Sequence, residues 1–308
     1  MESGKKFDVV GLGVSSLDLL MIVDELPGKE LVQHAHDCAL QGGGPIATAM
    51  VTLARLGSRT AMLDKIGDDW RGRLILNEFR KENVSTDWMC IASGCRSSIA
   101  SILVRKRDGA RTIIFSPGET GELHPDEVPE DVIKEAKFLH LNGRHWNASL
   151  KAAQLARAHG VKVSFDGGAD RYREGIPELI ALTDICIVAR QFAHAFSGAF
   201  DLGTAARRLL DAGPEIVVVT AGVDGSWLFS HNTKAFHQPA VKIGLPVDTT
   251  GAGDAYHGAF LHGIVSGLDL KECAALASAV AALNTRKLGG RSALPTMDEA
   301  ARFMDRHG

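Results

Sequence analysis

Short apolar runs alternate with helix-like segments after Pro125, and this alternation is the feature that most restricts the fold. Each run is short enough to be a buried strand, and polar or glycine-containing segments separate it from the next helix. Strands of this kind joined by helices form a parallel sheet covered on both faces. We therefore predict an α/β fold with strands at 138–141, 161–165, 184–188 and 215–220, and helices capped by Asn147 and ended by Gly160, near 178–182, and at 201–212.

Polar residues and a glycine follow several of these predicted strands. Ligands of open parallel sheets bind beyond the carboxyl ends of the strands, where such residues meet. The sequence therefore predicts one cleft lined by the residues at these ends, which are Asn142, Arg144, Asp166, Thr220 and Gly222, with Asp254 following later in the chain.

Length and composition indicate one soluble domain over residues 1–308, with 45% hydrophobic and 23% charged residues. A net charge of -3 provides no electrostatic basis for nucleic acid or an anionic membrane as a partner. The five cysteines are scattered and never spaced as CxxC, which is typical of reduced thiols. The N-terminus does not resemble a secretory signal, and the apolar run 273–285 is too short to span a bilayer. We expect a cytoplasmic protein.

Asp18 is a single acid inside an apolar segment, residues 17–23, that we predict to be extended. The preceding strand, 7–13, ends in glycines, but the dinucleotide fingerprint GxGxxG fails at Ser16 and no helix follows, so NAD binding is not expected. A buried carboxylate needs hydrogen-bond partners. Sugar hydroxyls or backbone N–H groups would both serve.

Three glycines, Gly42 to Gly44, and Pro45 precede a nearly all-apolar helix predicted at 46–56. Such a helix lies inside a domain. Glycines before it allow a small ligand to approach the backbone. A strand at 61–67 and an amphipathic helix at 69–82 follow.

Alternating residues at 98–104, the turn 106–109 and the answering run 111–115 predict a β-hairpin. Together with residues 17–38 it would form a small sheet apart from the main body. Such a sheet could cover a substrate cleft as a lid, form a dimer contact, or do both.

The segment Asp248 to Asp254, with the sequence DTTGAGD, stands directly before a helix-like run at 255–268. Its glycines, Gly251 and Gly253, leave backbone N–H groups free to converge on an anion at the helix N-terminus. Asp254 would repel a phosphate unless it takes a proton from the group that attacks that phosphate. Phosphoryl transfer with Asp254 as base is therefore our hypothesis, and a tight loop with Asp254 as a helix cap is the alternative.

The chain resembles the PfkB or ribokinase-like family of carbohydrate kinases along nearly its whole length, and the matching motifs occur in the order found in that family. Residues 248–254 match the C-terminal signature of that family, and residues 42–57 resemble its N-terminal signature. The resemblance implies a ribokinase-like three-layer α/β/α sandwich. It also implies a small β-sheet lid inserted from about 14–40 and 95–118.

The same resemblance implies an ATP-dependent kinase acting on a primary hydroxyl of a sugar. Its implied base is Asp254, and its implied anion hole is the backbone of Gly251, Ala252, Gly253 and Asp254. The matching sugar-side positions are Asp18, Gly42, Gly43 and Thr48, and the matching nucleotide-side positions are Thr220, Gly222, Gly225, Asn284 and Gly289. Asp248 and Thr250 lie where many members hold a potassium ion.

Two positions depart from the family pattern. Thr48 replaces an asparagine common in the first signature, and Ala189 and Phe192 occupy the positions of an Asn-x-x-Glu motif that organises magnesium. Magnesium is still expected as the counter-ion of ATP, without assigned protein ligands.

The sequence most resembles the ketose kinases of this family, particularly sulfofructose kinases. Lys29 and Arg144 match cationic positions that could hold a sulfonate or phosphate, whereas Phe115 stands where an asparagine is expected. Sulfofructose and fructose are both candidate substrates. The alternatives are a kinase for another small sugar or nucleoside, such as ribose or adenosine, and a non-catalytic sugar or nucleotide sensor. A homodimer through the lid sheet is also expected.

Overall fold

A computed structural model describes residues 4–28, 32–169 and 171–307 of the chain. The strands in chain order are β1 Phe7–Leu12, β2 Ser16–Val23, β3 Asp37–Gly43, β4 Thr60–Leu63, β5 Lys65–Gly67, β6 Val84–Ser85, β7 Cys90–Ala92, β8 Ile99–Arg105, β9 Arg111–Ser116, β10 Ala136–Leu141, β11 Lys162–Gly167, β12 Ile185–Ala189, β13 Ile216–Thr220, β14 Ser226–Ser230 and β15 Phe236–Gln238.

The helices in the same order are α1 Pro45–Arg55, α2 Trp70–Lys81, α3 Glu130–Lys134, α4 Trp146–Ala158, α5 Ile176–Ile180, α6 Arg190–Ser197, α7 Leu202–Asp211, α8 Ala252–Val265, α9 Leu270–Asn284 and α10 Met297–His307. Short 3₁₀ turns occur at Pro125–Glu127 and Gly222–Asp224. None of the helices in the described ranges is long and apolar enough to cross a membrane.

The main sheet has the strand order β15-β14-β13-β12-β11-β10-β1-β4-β6. Neighbours from β13 to β6 in this order pair in parallel, and β14 and β15 add antiparallel pairs at one edge. The predicted parallel α/β sheet is therefore confirmed. The antiparallel edge was not predicted, nor was α6.

Helices cover both faces of this sheet, as the three-layer prediction required. One buried cluster contains apolar side chains of α3 to α7, and the other contains those of α1, α2, α8, α9 and α10. The strands between them are buried on both sides, which explains why their sequences are apolar without alternation.

The second sheet has the order β3-β2-β8-β9, in which β2 and β8 pair in parallel and the β8–β9 hairpin is antiparallel. Leu20, Ile102 and Val104 on its inner face are buried with Leu288 of the main body. The small sheet and its hairpin agree with the prediction from the sequence.

The strand predicted at 61–67 is two strands that belong to different sheets, because the chain turns at Asp64. This buried carboxylate accepts hydrogen bonds from the backbone N–H groups of Ser15 and Lys65 at 2.5 and 2.7 Å and lies 2.8 Å from His145 Nε2. A run of apolar residues cannot reveal such a turn, which depends on partners distant in the sequence.

Two predicted helix starts were wrong. Asn147 does not cap α4, because the helix begins at Trp146 after His145, whose backbone is left-handed at φ 53°. The helix after the DTTGAGD segment begins at Ala252 and not at residue 255. Asp254 therefore lies within the first turn of α8.

Candidate active site

The site is built on the first turn of α8. Gly251 precedes the helix with φ 73°, a left-handed conformation that favours glycine, and a Cβ on it would lie 2.7 Å from Gly290 Cα. Gly253 has open space where a Cβ would stand. Within the described chain, the N–H groups of Gly253 and Asp254 form no hydrogen bond. Two donors at a helix N-terminus are therefore available to an anion.

Asp254 is half-buried at the wall of a cleft, and its surroundings disfavour the charged form. Burial, followed by the negative charge of Asp166, raises the pKa of Asp254 to about 6, against the opposing charges of Arg171, Arg111 and Arg291. A carboxylate with this pKa is mostly ionised at neutral pH and accepts a proton more readily than an ordinary aspartate.

The cleft itself lies between the inner face of the small sheet and the carboxyl ends of the main strands, and has a volume of about 330 Å³. Such a volume suits a small molecule. Its walls are formed by Val14, Ser16, Asp18, Gly43, Gly44, Pro45, Thr48, Ala100, Ile102, Arg111, Ile113, Phe115, Asn142, Arg144, Arg171, Thr250, Gly251, Asp254 and Gly290.

Asp18 lies on β2 and faces this cleft. It accepts a hydrogen bond from Ser16 Oγ at 2.7 Å, and burial raises its pKa, against the hydrogen bond from Ser16 and the charge of Arg291. Asp18 is 7% exposed, so the other lone pairs of its carboxylate point to the cleft or to the protein.

Each glycine of the 42–44 turn is enclosed by a different protein group. A Cβ on Gly42 would lie 2.5 Å from Arg291 Nη1, one on Gly43 would lie 2.0 Å from Asp18 Oδ2, and one on Gly44 would lie 2.1 Å from the carbonyl oxygen of Val14. These glycines are required by packing within the protein, whatever binds in the cleft.

Arg291 is a buried residue that the sequence analysis did not assign to the site. Its Nε donates to Thr48 Oγ1 at 3.1 Å, and its Nη2 donates to the carbonyl oxygen of Gly43 at 2.9 Å. Burial lowers the pKa of Arg291 to about 10, against the opposing charges of Asp18 and others. The Thr48 hydroxyl, predicted as a sugar contact, is thus already bonded to an arginine.

Two further arginines were also missed. Arg171 donates from Nη1 to Asp166 Oδ2 at 2.7 Å, and Arg111 on β9 donates from Nη1 to Thr249 Oγ1 at 2.7 Å. Thr249 Oγ1 also lies 3.3 Å from the carbonyl oxygen of Gly109. The tip of the small sheet therefore contacts the DTTGAGD segment.

Asp248 is fully buried beneath the same segment and stabilises its shape. Its two carboxylate oxygens accept hydrogen bonds from the N–H groups of Thr250 and Gly289, each at 2.8 Å. In the described ranges, no lysine, arginine or histidine forms an ion pair with it. Thr250 Oγ1 and Asn284 Oδ1 are buried nearby and have no hydrogen-bond partner among the described residues.

Several predicted nucleotide-side residues lie outside the cleft walls. Thr220 Oγ1 donates to the carbonyl oxygen of Val188 at 3.3 Å, and Gly222 is exposed. Gly225 has φ 88°, and a Cβ there would lie 2.1 Å from the carbonyl oxygen of Gln238. A Cβ on Gly289 would lie 1.9 Å from Gln41 Nε2. Packing alone therefore accounts for Gly225 and Gly289 as glycines.

Of the two predicted cations for an anionic substrate, Arg144 lies at the cleft and is exposed, and Lys29 lies outside the described residues. Ala189 and Phe192 occupy the end of β12 and the buried face of α6. Within the described ranges, no cluster of three or more His, Cys, Asp or Glu side chains could hold a metal ion. Magnesium ligands from the protein are thus not identified.

The chain is similar to known proteins in sequence. The family model for pfkB family carbohydrate kinases matches residues 6–297. An uncharacterized sugar kinase of Archaeoglobus fulgidus is 35% identical over 250 residues, which cover 79% of this chain and 98% of that protein. The 5-dehydro-2-deoxygluconokinase of Shouchella clausii is 29% identical over 316 residues, which cover 97% of this chain and 95% of that protein.

Among solved structures, Arabidopsis thaliana ribokinase complexed with ribose and ATP is similar to this fold. The TM-score is 0.81 at 22% identity, and the match covers 97% of this chain and 98% of that chain. At this identity the likeness establishes the ribokinase-like fold, with its large sheet, covering helices and small separate sheet.

Proposed function

The chain belongs to the pfkB family of carbohydrate kinases, and on this premise we propose that it transfers the γ-phosphate of ATP to a primary hydroxyl of a ketose-type sugar. The single observation that carries this proposal is the first turn of α8. There an aspartate whose pKa is raised to about 6 lies beside backbone N–H groups with no partner in the described chain. One group is suited to accept a proton, and the others are suited to hold a phosphate.

In the proposed reaction, Asp254 takes the proton of the sugar hydroxyl as its oxygen bonds to the γ-phosphorus. The bond from that phosphorus to the bridging β-phosphate oxygen breaks, and ADP leaves. The N–H groups of Gly253 and Asp254, which have no hydrogen-bond partner in the described chain, stabilise the charge on the transferring phosphoryl group, since positioning and electrostatics dominate this chemistry. Asp254 then releases its proton to solvent.

Removal of the base tests this function. We expect Asp254→Asn to fold and bind ATP but to lose turnover by about 10³-fold or more, the upper range for a general base. A coupled ADP assay across a panel of sugars measures the turnover. The control is Asp126→Asn, which changes an exposed acid distant in the sequence from Asp254. Full activity of Asp254→Asn would exclude the mechanism, and absence of turnover by the wild-type protein on every sugar would favour a non-catalytic sensor.

The substrate is proposed to be a ketose, with sulfofructose and fructose as the first candidates. Asp18 supports hydroxyl recognition, and the exposed Arg144 at the cleft supports an anionic tail. The Shouchella clausii relative is named for a keto sugar acid, which makes that class the second candidate. If an anion is bound, Arg144→Ala should raise the KM for the anionic sugar far more than that for fructose.

Magnesium is proposed to enter with ATP, neutralising its phosphates. For potassium, the buried oxygens of Thr250 and Asn284 have no hydrogen-bond partner in the described ranges, and no cationic side chain there pairs with the neighbouring Asp248. These oxygens fit a cation with oxygen ligands. Bound there, the ion would supply positive charge beneath the anion loop. Replacing potassium by tetramethylammonium should lower turnover and the melting temperature, and identical values in both salts would oppose this site.

A homodimer through the small sheet is supported by its outer face. Leu40 is 50% exposed and Ile114 is 65% exposed. The strand register brings both to one row with Leu19 and Ser101, so three of the four side chains in the row are apolar. Apolar side chains grouped in this way are typical of a contact surface. Sedimentation of the protein and of Ile114→Asp tests the dimer, which the substitution should weaken.

A further inference from the structure

A row of buried polar side chains leads from the core to the base. His257 Nε2 lies 3.5 Å from Asp166 Oδ1, and the other oxygen of Asp166 accepts the hydrogen bond from Arg171 Nη1 at 2.7 Å. Arg171 and Asp254 both line the cleft. Asp166 is therefore bonded on one side to the cation that faces Asp254, and lies close to a histidine on the other.

The fold brings these groups together for simple geometric reasons. Asp254 and His257 are three residues apart on α8, so they lie on one face of the helix. Asp166 lies near the carboxyl end of β11, the edge of the sheet that this helix start approaches. Asp166 is 3% and His257 5% exposed, so neither can exchange its partner for water.

We propose that Asp166, which lies against His257, positions Arg171 as the fixed cation facing Asp254, so that the base is ionised and free when the sugar hydroxyl arrives. This inference rests on the proposed kinase function and deepens it. Asp166 is a positioning residue, since it acts through Arg171.

The charges around Asp254 come from several elements and oppose one another. Asp166 raises the pKa of Asp254, whereas Arg171, Arg111 on β9 and Arg291 after α9 lower it. On α8 itself, burial lowers the pKa of His257, against the opposing charge of Asp166. His140 on β10 lies 5.6 Å from His257 between ring centroids, and burial lowers its pKa to about 3.

Removing Arg171 and removing the charge of Asp166 should therefore shift the pKa of Asp254 in opposite directions. Without Arg171, only the charges of Arg111 and Arg291 oppose that of Asp166 at Asp254, which disfavours the carboxylate. Without the charge of Asp166, Arg171 is released to pair with Asp254 directly, which favours the carboxylate but also occupies it. Turnover falls in both cases, for different reasons.

The test is the pH dependence of kcat with magnesium-ATP and the best sugar of the panel. For Arg171→Gln, we expect the acid limb of the pH profile to move up by about one pH unit. For Asp166→Asn, we expect the acid limb to move down by a similar amount. In both variants kcat at pH 7 should be at least about tenfold lower. Arg207→Gln, an exposed arginine on α7, should change neither. Loss of activity with an unmoved limb, or with shifts of the same sign, would overturn the proposal.

A second measurement separates this inference from the kinase function. Carboxyl-carbon NMR of protein labelled at aspartate follows the titration of Asp254 without turnover, with its signal assigned by its absence in Asp254→Asn. An unchanged titration in Arg171→Gln and Asp166→Asn overturns the inference, even if Asp254→Asn is inactive. If Arg171→Gln does not fold, Arg171→Lys replaces it, because lysine keeps the positive charge. The acid limb of its pH profile of kcat is expected near that of the wild type. An acid limb displaced by a full pH unit would contradict the proposal.

Discussion

The two glycine-rich helix starts, before α1 and before α8, look alike in sequence and differ in physical cause. Gly44 precedes α1 with φ 94° and Gly251 precedes α8 with φ 73°, and neither helix has a side-chain cap. At α1, the glycines are enclosed by Arg291, Asp18 and the Val14 carbonyl group. At α8, Gly253 has open space around it and a free N–H group within the described chain.

Glycine in a signature therefore has two distinct uses. In the α1 turn it permits the close approach of one protein segment to another, which holds Asp18 in place. In the α8 turn, Gly251 likewise lies against Gly290, whereas Gly253 keeps the backbone accessible to a ligand. The same helix start also carries an acid whose charge the surroundings disfavour, which lowers the stability of the folded state at neutral pH.

The largest expected effect on stability is at α1. In Gly44→Ala, the new Cβ would stand 2.1 Å from the Val14 carbonyl oxygen, so the backbone must shift. We expect a loss of about 3 kcal/mol or more in the free energy of unfolding, by urea denaturation. The control is Gly57→Ala at the other end of α1, where φ is 104° and the space around the residue is open. This substitution introduces backbone strain without a clash and should lower the free energy of unfolding by about 1–2 kcal/mol. Equal losses would show that the contact at Gly44 does not matter.

A smaller effect of opposite sign is expected at α8. The folded pKa of Asp254, about 6, is above the value of 3.8 for a free aspartate, so its contribution to stability is present below pH 3.8 and is lost as the pH rises through 6. Asp254→Asn should therefore be more stable than the wild type at pH 8, by about 2 kcal/mol, with the difference vanishing towards pH 4. Denaturation of both proteins across this range measures it, and a variant less stable at pH 8 would contradict the assigned pKa.

The smallest effect on stability sharpens the contrast. Gly253→Ala adds a methyl group in open space within a helix and should gain up to about 1 kcal/mol. Because phosphate is proposed to approach this backbone, the KM for ATP should rise by about tenfold. Gly203→Ala at the matching position of α7 is the control, with a similar gain and unchanged kinetics. If Gly253→Ala kept wild-type kinetics, the anion site would have to lie elsewhere.

Most of the fold could be predicted because its signals are local. Runs such as Ile216–Thr220 are short, apolar and followed by polar residues or glycine, and these properties do not depend on the rest of the chain. The errors fall where distant partners decide the backbone. Asp64 ends a strand through Ser15 and His145, and His145 replaces Asn147 at the start of α4.

The candidate site was predictable in part for the same reason. Asp254 and its glycines lie together in one segment, and the free N–H groups follow from a helix start. Arg291 and Arg171 could not be identified, because a lone arginine in a loop resembles any exposed arginine. Their partners make them part of the site, and Thr48 is 243 residues from Arg291.

The parallel α/β architecture, the family and the acid at the start of α8 could all be predicted from the chain, since each depends on the order of neighbouring residues. The folded protein was needed to show which glycines are enclosed and which is open, and which arginines lie near Asp18 and Asp254. These depend on the approach of segments far apart in the chain. The electrostatic state of Asp254 belongs to this second group, because its pKa is set by burial and by Asp166, Arg171, Arg111 and Arg291, which come from separate segments of the fold.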